Sequence, residues 1–375
     1  MLRKPYLFCF LLAFLNSAFG ANSNETYVSS LRTAIYNLSS NLNDITLSAQ
    51  EAAADFVAGG NIWAAGPQDD FVSEACSRAG GLMAIRPLNP EAVRAHDVIL
   101  FAVPGYIKTE DFAFLHQVQK NSARAIKFNS KAGTFGEHFP IDTVINIVRL
   151  WTWTGEFVAA CTRLGKMPVL YQSYGVPGGK ERGAKYQGQK FHHDVTIKPV
   201  PPGVLGDEYV TKIIFMLEQI QNETAKMTEA ANWWAHATNP TTTFVVGHMF
   251  PWHLEDPRTI SSTRFIAAPA WEDKDLLQMT GHSSFIFYLG YQSAPEKLVG
   301  QAMNLRVKLA YVAVQPARPI QSSKTVLWIN PVWPLADGCV SLSGYDIPIL
   351  PASGIVQAAI YWTIASERET LANSK

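Results

Sequence analysis

Apolar positions in this chain fall into short blocks, and helix-spaced stretches separate them. Strand-like runs occur at 61–65, 82–85, 97–103 and 123–129, then again at 242–246, 264–268, 284–289 and 307–314. An alanine-rich helical run stops at Gly59-Gly60, and a second helical pattern over 71–78 stops at Gly80-Gly81. Glycine ends helices because it enters the left-handed region without a side-chain penalty. Before the second set of strands, Tyr209, Ile213, Ile214, Leu217, Ile220 and Met227 recur at helical spacing and continue through Ala230, Ala231 and Trp234. Asn239-Pro240 ends that helix, since the residue before proline is pushed out of the helical region. Strands alternating with helices in short units predict parallel sheets covered on both faces.

The order of elements repeats. Gly66 and Gly247 end the first strand of each half, and His96-Asp97 and His282-Ser283 introduce the third. Each half then reaches a helix carrying W-T-x-x-x-E, at 151–156 and at 362–367. Coincidences in one order point to an internal repeat. The predicted organisation is a lead-in over 21–43, one unit over 44–170, a connection over 171–206 and a second unit over 207–370.

The first twenty residues read as a targeting segment. Arg3 and Lys4 precede an apolar run over 6–15, and Ala18-Phe19-Gly20 offers the small residues of a cleavage site before Ala21. The run is too short to span a bilayer comfortably, so a secreted or periplasmic protein is expected, with no membrane span after cleavage. Lys plus Arg equals Asp plus Glu, 31 each, so no nucleic-acid surface is expected. Cys76, Cys161 and Cys339 remain in the mature chain, too few for a disulfide framework. Asn24, Asn37 and Asn222 lie in N-x-Ser/Thr sequons.

The G-G-x-I-x-x-x-G turn at 59–66, followed by E-A-x-x-R-A-G-G-L at 74–82, resembles the opening of SIS (sugar isomerase, phosphosugar-binding) domains. That resemblance implies an α/β fold of two tandem flavodoxin-like, SIS-like three-layer α/β/α subdomains with parallel sheets. It implies a ligand at the turns that follow the strands, with phosphate held after the third. There the chain has Val103-Pro104-Gly105-Tyr106 with Thr109, and Gly290-Tyr291-Gln292-Ser293-Ala294, neither of which is the family's S-x-S-G-x-T; Ser293 is the hydroxyl that fits. Ala336-Asp337 resembles the step into the last strand. Pro351-Ala352-Ser353 resembles the opening of the last helix, with Ser353 as N-cap or ligand contact.

Candidate ligand contacts are therefore Gly66, Gly105, Tyr106, Gly247, Gly290, Ser293 and Ser353. Lys180 and Arg182 join them from the glycine-rich connection, where cations and exposed amides suit an anion. Tyrosines beside Gly105 and Gly290 suit a sugar ring. Glu74, His248 and Glu296 are the candidate acids and bases, because isomerisation moves a proton next to a carbonyl. The pattern H-x-x-x-x-H-x-E at His248, His253 and Glu255, with Asp256 next to it, also reads as metal ligands of a hydrolase centred on the two histidines. The expectation is an exported protein binding a carbohydrate derivative, sugar or phosphosugar, with no cofactor and no resident metal. A sugar isomerase is the alternative, and a homodimer is left open.

Overall fold

The structure, a computed structural model, describes residues 26–40, 42–66, 69–105, 108–109, 112–237, 243–247, 264–267, 285–318 and 323–373. Of these, 69–70, 243–247 and 264–267 are described by their backbone. The first sheet holds β1 (Ile62–Ala65), β2 (Ile85–Pro87), β3 (Val98–Ala102) and β4 (Arg124–Phe128), all parallel, in the order β2-β1-β3-β4. A short antiparallel pair follows, β5 (Thr134–Phe135) with β6 (Phe139–Pro140). The second sheet holds β7 (Thr243–Gly247), β8 (Arg264–Ala267), β9 (Phe285–Leu289), β10 (Lys308–Val312) and β11 (Val326–Ile329), again parallel, in the order β11-β10-β9-β7-β8. Another antiparallel pair closes the chain's strands, β12 (Gly338–Val340) with β13 (Ile349–Pro351). Both sheets thus share one strand order, and the second adds β11 at its edge.

The run predicted at 82–85 is displaced. Leu82 bridges Leu170, and pairing with β1 starts at Ile85.

Among the described residues the α-helices are α1 (Tyr27–Ser39), α2 (Leu42–Val57), α3 (Asp69–Ser77), α4 (Phe114–Lys120), α5 (Asp142–Arg163), α6 (Gly179–Lys185), α7 (Val204–Ile220), α8 (Thr224–Ala235), α9 (Glu296–Leu305) and α10 (Ser353–Asn373). The long helix expected over 209–234 is two helices. At the break, the Glu223 carboxylate turns away to accept from the Asn330 amide at 3.2 Å and from Lys226 at 2.6 Å. No helix among the described residues is long and apolar enough to cross a membrane.

Side-chain alternation along the strands sets the layers. In β3, Val98, Leu100 and Ala102 enter the central core, while Ile99 and Phe101 join an outer cluster with Phe112 and Val118. In β9, Phe285, Phe287 and Leu289 point inward, and Ile286 and Tyr288 meet Leu298, Val299 and Ala302 of α9. The inner faces of both sheets lie on one shared helical layer. There α2 and α7 pack on α5, α8 packs on α10, and α1 packs on α7 and α10. This is why α5 is apolar around most of its circumference and buried almost throughout.

Two bonds recur along the chain, with Pro140 six residues before Asn146 and Pro351 six before Gln357. Asn146 Nδ2 donates to Val103 O at 3.3 Å, and Gln357 Nε2 to Gly290 O at 2.9 Å. The buried hydroxyl of Tyr27 donates to Pro140 O, and that of Tyr209 to Pro351 O. Trp151 and Trp362 are both buried, each five residues beyond its amide.

The glycine-rich 171–206 connection is a strap held against the rest of the chain. It contains α6, and Lys190 Nζ donates to Gly59 O and Gly60 O at 2.9 and 2.7 Å. At its end, the buried Glu156 carboxylate of α5 accepts from the Gly203 and Gly206 amides at 2.7 and 2.8 Å. A carboxylate at these free amides caps α7 where no local side chain does so. Cys76, Cys161 and Cys339 are unbridged.

Candidate functional site

Gly66 follows β1, and Gly105 lies just past β3; Gly247 ends β7, and Gly290 follows β9. Within each sheet these strands are parallel neighbours, so the four turns lie at carboxyl edges, two per sheet. In both sheets this is where the strand order reverses, the usual place for a crevice in an open α/β sheet. Gly290 is fixed by close approach: its amide donates to Val312 O at 2.9 Å, and an added Cβ would lie 2.5 Å from that oxygen. On the first sheet, the Gly105 amide donates to Asp142 Oδ2 at 2.9 Å. Asp142 therefore places its own carboxylate where α5 begins. A small cavity of about 400 Å³ lies there, with Thr109, Ser130 and Lys131 among its walls.

A larger cleft, about 650 Å³, lies at the carboxyl edge of the second sheet. The arch at 171–175 forms one wall; Tyr291, Gln292 and Ser293 form the other, with Ser77 and Ala79 at its end and Asp337 at its base. Tyr171, Tyr174 and Tyr291 supply rings and hydroxyls. No Lys, Arg or His stands among the described lining residues. Gln292 Nε2 donates to Ser173 Oγ at 3.2 Å and to Leu335 O at 2.9 Å, which ties the two walls together. The Tyr291 ring stacks on Trp333 with centroids 6.4 Å apart, and its hydroxyl hydrogen-bonds Ser173 and Asp337. Burial, and then the Asp337 carboxylate, push the Tyr291 phenol far above its ordinary value.

Beneath the cleft lies a buried charge cluster contributed by both halves. Arg78, at the end of α3, reaches Asp337 Oδ2 at 3.3 Å, Glu74 Oε2 at 3.6 Å and the Ser353 hydroxyl. Trp151 Nε1 donates to Glu74 Oε1 at 3.3 Å. Asp337 Oδ1 accepts from the Ala352 and Ser353 amides at 3.1 and 2.8 Å, and Oδ2 accepts from the Ser353 hydroxyl at 3.0 Å. Two carboxylates thus face one guanidinium, and all three residues are buried. Burial raises the Glu74 carboxyl above its ordinary value, with Arg78 acting against it.

Several expected roles change. Glu74 does not face ligand; it lies inside this cluster, held by Arg78 and Trp151. Ser353 is not the cap of the last helix, because Asp337, with φ of 69°, turns its carboxylate onto the free amides and Ser353 donates to it. Arg182 does not await an anion. It is buried between the Tyr186 and Tyr345 rings, each 5.1 Å away, and donates to Tyr345 Oη at 2.7 Å and to Asp346. Lys180 is exposed on α6, and Glu296 is exposed in the first turn of α9. Ser293 lines the cleft, where its backbone bridges Gln315. Tyr106, His248, His253, Glu255 and Asp256 lie outside the described residues. Among the described residues, no group of three or more His, Cys, Asp or Glu is arranged to hold a metal. The 171–175 wall was missed, although Tyr-Gln-Ser-Tyr immediately before a glycine was the available signal.

No protein-family model matches the chain, and no curated protein is similar to it in sequence. Among solved structures, it overlaps a Clostridium difficile 630 protein named as a phosphosugar isomerase, at 8% identity and a TM-score of 0.49, covering 94% of this chain and 93% of that one. A Silicibacter pomeroyi DSS-3 protein named as a phosphosugar isomerase overlaps at 9% identity and a TM-score of 0.45, over 93% and 96% of the two chains. A Salmonella typhimurium LT2 protein named for sugar binding overlaps at 8% identity and 0.45, over 90% and 98%. The assignment of the site rests on this chain's own residues.

Proposed function

We propose that this chain is an exported carbohydrate-binding protein whose ligand, a neutral or amino-bearing sugar derivative, occupies the cleft above Asp337. The observation that carries this reading is the cleft's lining: aromatic rings and hydroxyls on opposed walls, with no cation among the described residues that line it. Tyrosine faces pack against the apolar face of a sugar ring, while Ser173, Ser293 and Gln292 suit its hydroxyls. A phosphate would bring a double negative charge toward Asp337 with no Lys or Arg from the described lining to receive it.

The recurring bonds of Asn146 and Gln357 support two tandem SIS-like units over 44–170 and 207–370. The 1–20 segment supports export. Binding is favoured over isomerisation because Glu74 is closed off by Trp151 and Arg78, and the Asp337 oxygens are taken by helix amides, Ser353 and Arg78.

Calorimetric titration of the mature chain with glucose, glucosamine and glucose 6-phosphate tests this. Binding of an unphosphorylated sugar that weakens in Tyr174→Ala is expected. Binding of the phosphate alone, or affinity indifferent to Tyr174, would sink it. Amino-terminal sequencing of protein recovered outside the cytoplasm should begin at Ala21.

A further inference from the structure

A second cavity, about 1280 Å³, lies away from the tyrosine cleft. It opens between α1, the β5–β6 hairpin, Arg149 of α5 and the last turns of α10. Counted from the paired tryptophans Trp151 and Trp362, Arg149 corresponds to Ile360. Counted the same way, Ser366, Glu369 and Thr370 correspond to Gly155, Val158 and Ala159. Ile360, Gly155, Val158 and Ala159 are all buried, and α5 packs directly on α7 there. At matching positions, one junction between the halves is closed with aliphatic and small residues, and the other is open and polar.

Arg149 is the group this difference leaves exposed to the cavity. It forms no ion pair among the described residues, its Nε is buried without a hydrogen-bond partner, and Asp44 acts on it only from a distance. Arg149 is half-buried, and burying part of a guanidinium without a protein partner costs stability that a bound anion would offset. Glu369 does not serve it, being held by His138, Nε2 to Oε2 at 2.8 Å. Arginine's planar fork matches a carboxylate or a phosphate through two parallel bonds. Lys131 and Glu137 on the walls offset one another and Glu369 is paired with His138, which leaves Arg149 as the one uncompensated charge among the described lining residues and suits a single negative charge. The hydroxyls of Thr33, Thr134 and Thr370 on the walls suit a hydroxylated ligand.

We propose that this cavity binds a hydroxylated monocarboxylate of the sugar-acid class, anchored by the guanidinium of Arg149. The site is independent of the tyrosine cleft.

Titration of the mature full chain with glucuronate, with glucose and inorganic phosphate as controls, tests the site. Glucuronate should bind the unaltered chain and Tyr174→Ala equally. It should bind Arg149→Ile about ten- to a hundredfold more weakly, the loss expected for a charge-assisted contact. Arg149→Ile places the residue type of Ile360 there and should raise Tm, since it removes the unpaired cation. Should that variant fail to fold, Ser366→Leu fills the space from α10 with Arg149 intact and must also abolish binding. The proposal is overturned if glucuronate does not bind, if its affinity is unchanged in Arg149→Ile or Ser366→Leu, if it is lost in Tyr174→Ala, or if inorganic phosphate competes equally well.

Discussion

Among the described residues Arg78 is the cation between two buried carboxylates, so replacing it with methionine removes the counter-charge and keeps most of the volume. Arg78 is 5% exposed, Glu74 4% and Asp337 0%, so solvent cannot take over its role. Removing one partner from a buried ion pair costs about 3 to 5 kcal/mol, because the remaining charge stays desolvated. That is a large share of a stability on the order of 5 to 15 kcal/mol. The loss should also depend on pH with a definite sign. The Glu74 carboxyl is raised in the fold above its ordinary value of 4.5, so its contribution is favourable below that pH and is lost as pH rises through the folded value. Without Arg78 the folded value climbs further. The deficit of Arg78→Met should therefore be largest near neutrality and shrink as pH approaches 4.5. Urea denaturation followed by tryptophan fluorescence at pH 7 and pH 5 measures this, and Arg78→Met combined with Glu74→Gln should recover part of the loss at pH 7. A deficit under about 1 kcal/mol at pH 7, within the range of exposed pairs, would refute the reasoning. So would one that grows on acidification.

Gly80→Ala should destabilise by about 1 to 3 kcal/mol, because φ is +82° and an added Cβ would lie 2.7 Å from the Leu350 amide; an unchanged urea midpoint would contradict it. Tyr27→Phe and Tyr209→Phe should each cost about 1 kcal/mol by leaving a buried proline carbonyl without its donor, and markedly unequal losses would count against the equivalence of these positions. Burial lowers the His192 imidazole below its ordinary value of 6.5, so its contribution is present above that pH and is lost as pH falls through the lower folded value. His192→Gln should flatten the acid side of the stability profile, and an unaltered slope below pH 6.5 would exclude this role for His192.

Seven of the nine parallel strands described were legible because each is a short apolar block bounded by glycine or polar residues, whereas β2 begins only at the last residue of the 82–85 run and β11 was not anticipated. The crevice edges followed, since Gly66, Gly105, Gly247 and Gly290 mark strand ends by local backbone requirements. What pairs with what across the sequence was not legible. Arg182 read as a free cation because Tyr345 and Asp346 lie far along the chain, and no local pattern announces them. Glu74 and Ser353 read as ligand-facing for the same reason. Their fate depends on Arg78 meeting Asp337, a contact between the two halves. The tyrosine wall at 171–175 was hidden by its place in a segment that glycine content marks as a linker, whereas Lys190, Arg182 and Glu156 tie that segment down.

The crossing of α1 onto α10 and of α7 onto α5 means that each half completes the hydrophobic interior of the other. A protease that nicks the strap near Gly188 should release no separable piece, and the two fragments should stay together until denaturant parts them. Heat or urea should then melt the whole chain in one step, and a fragment ending at residue 170 should come off the ribosome as an aggregation-prone orphan.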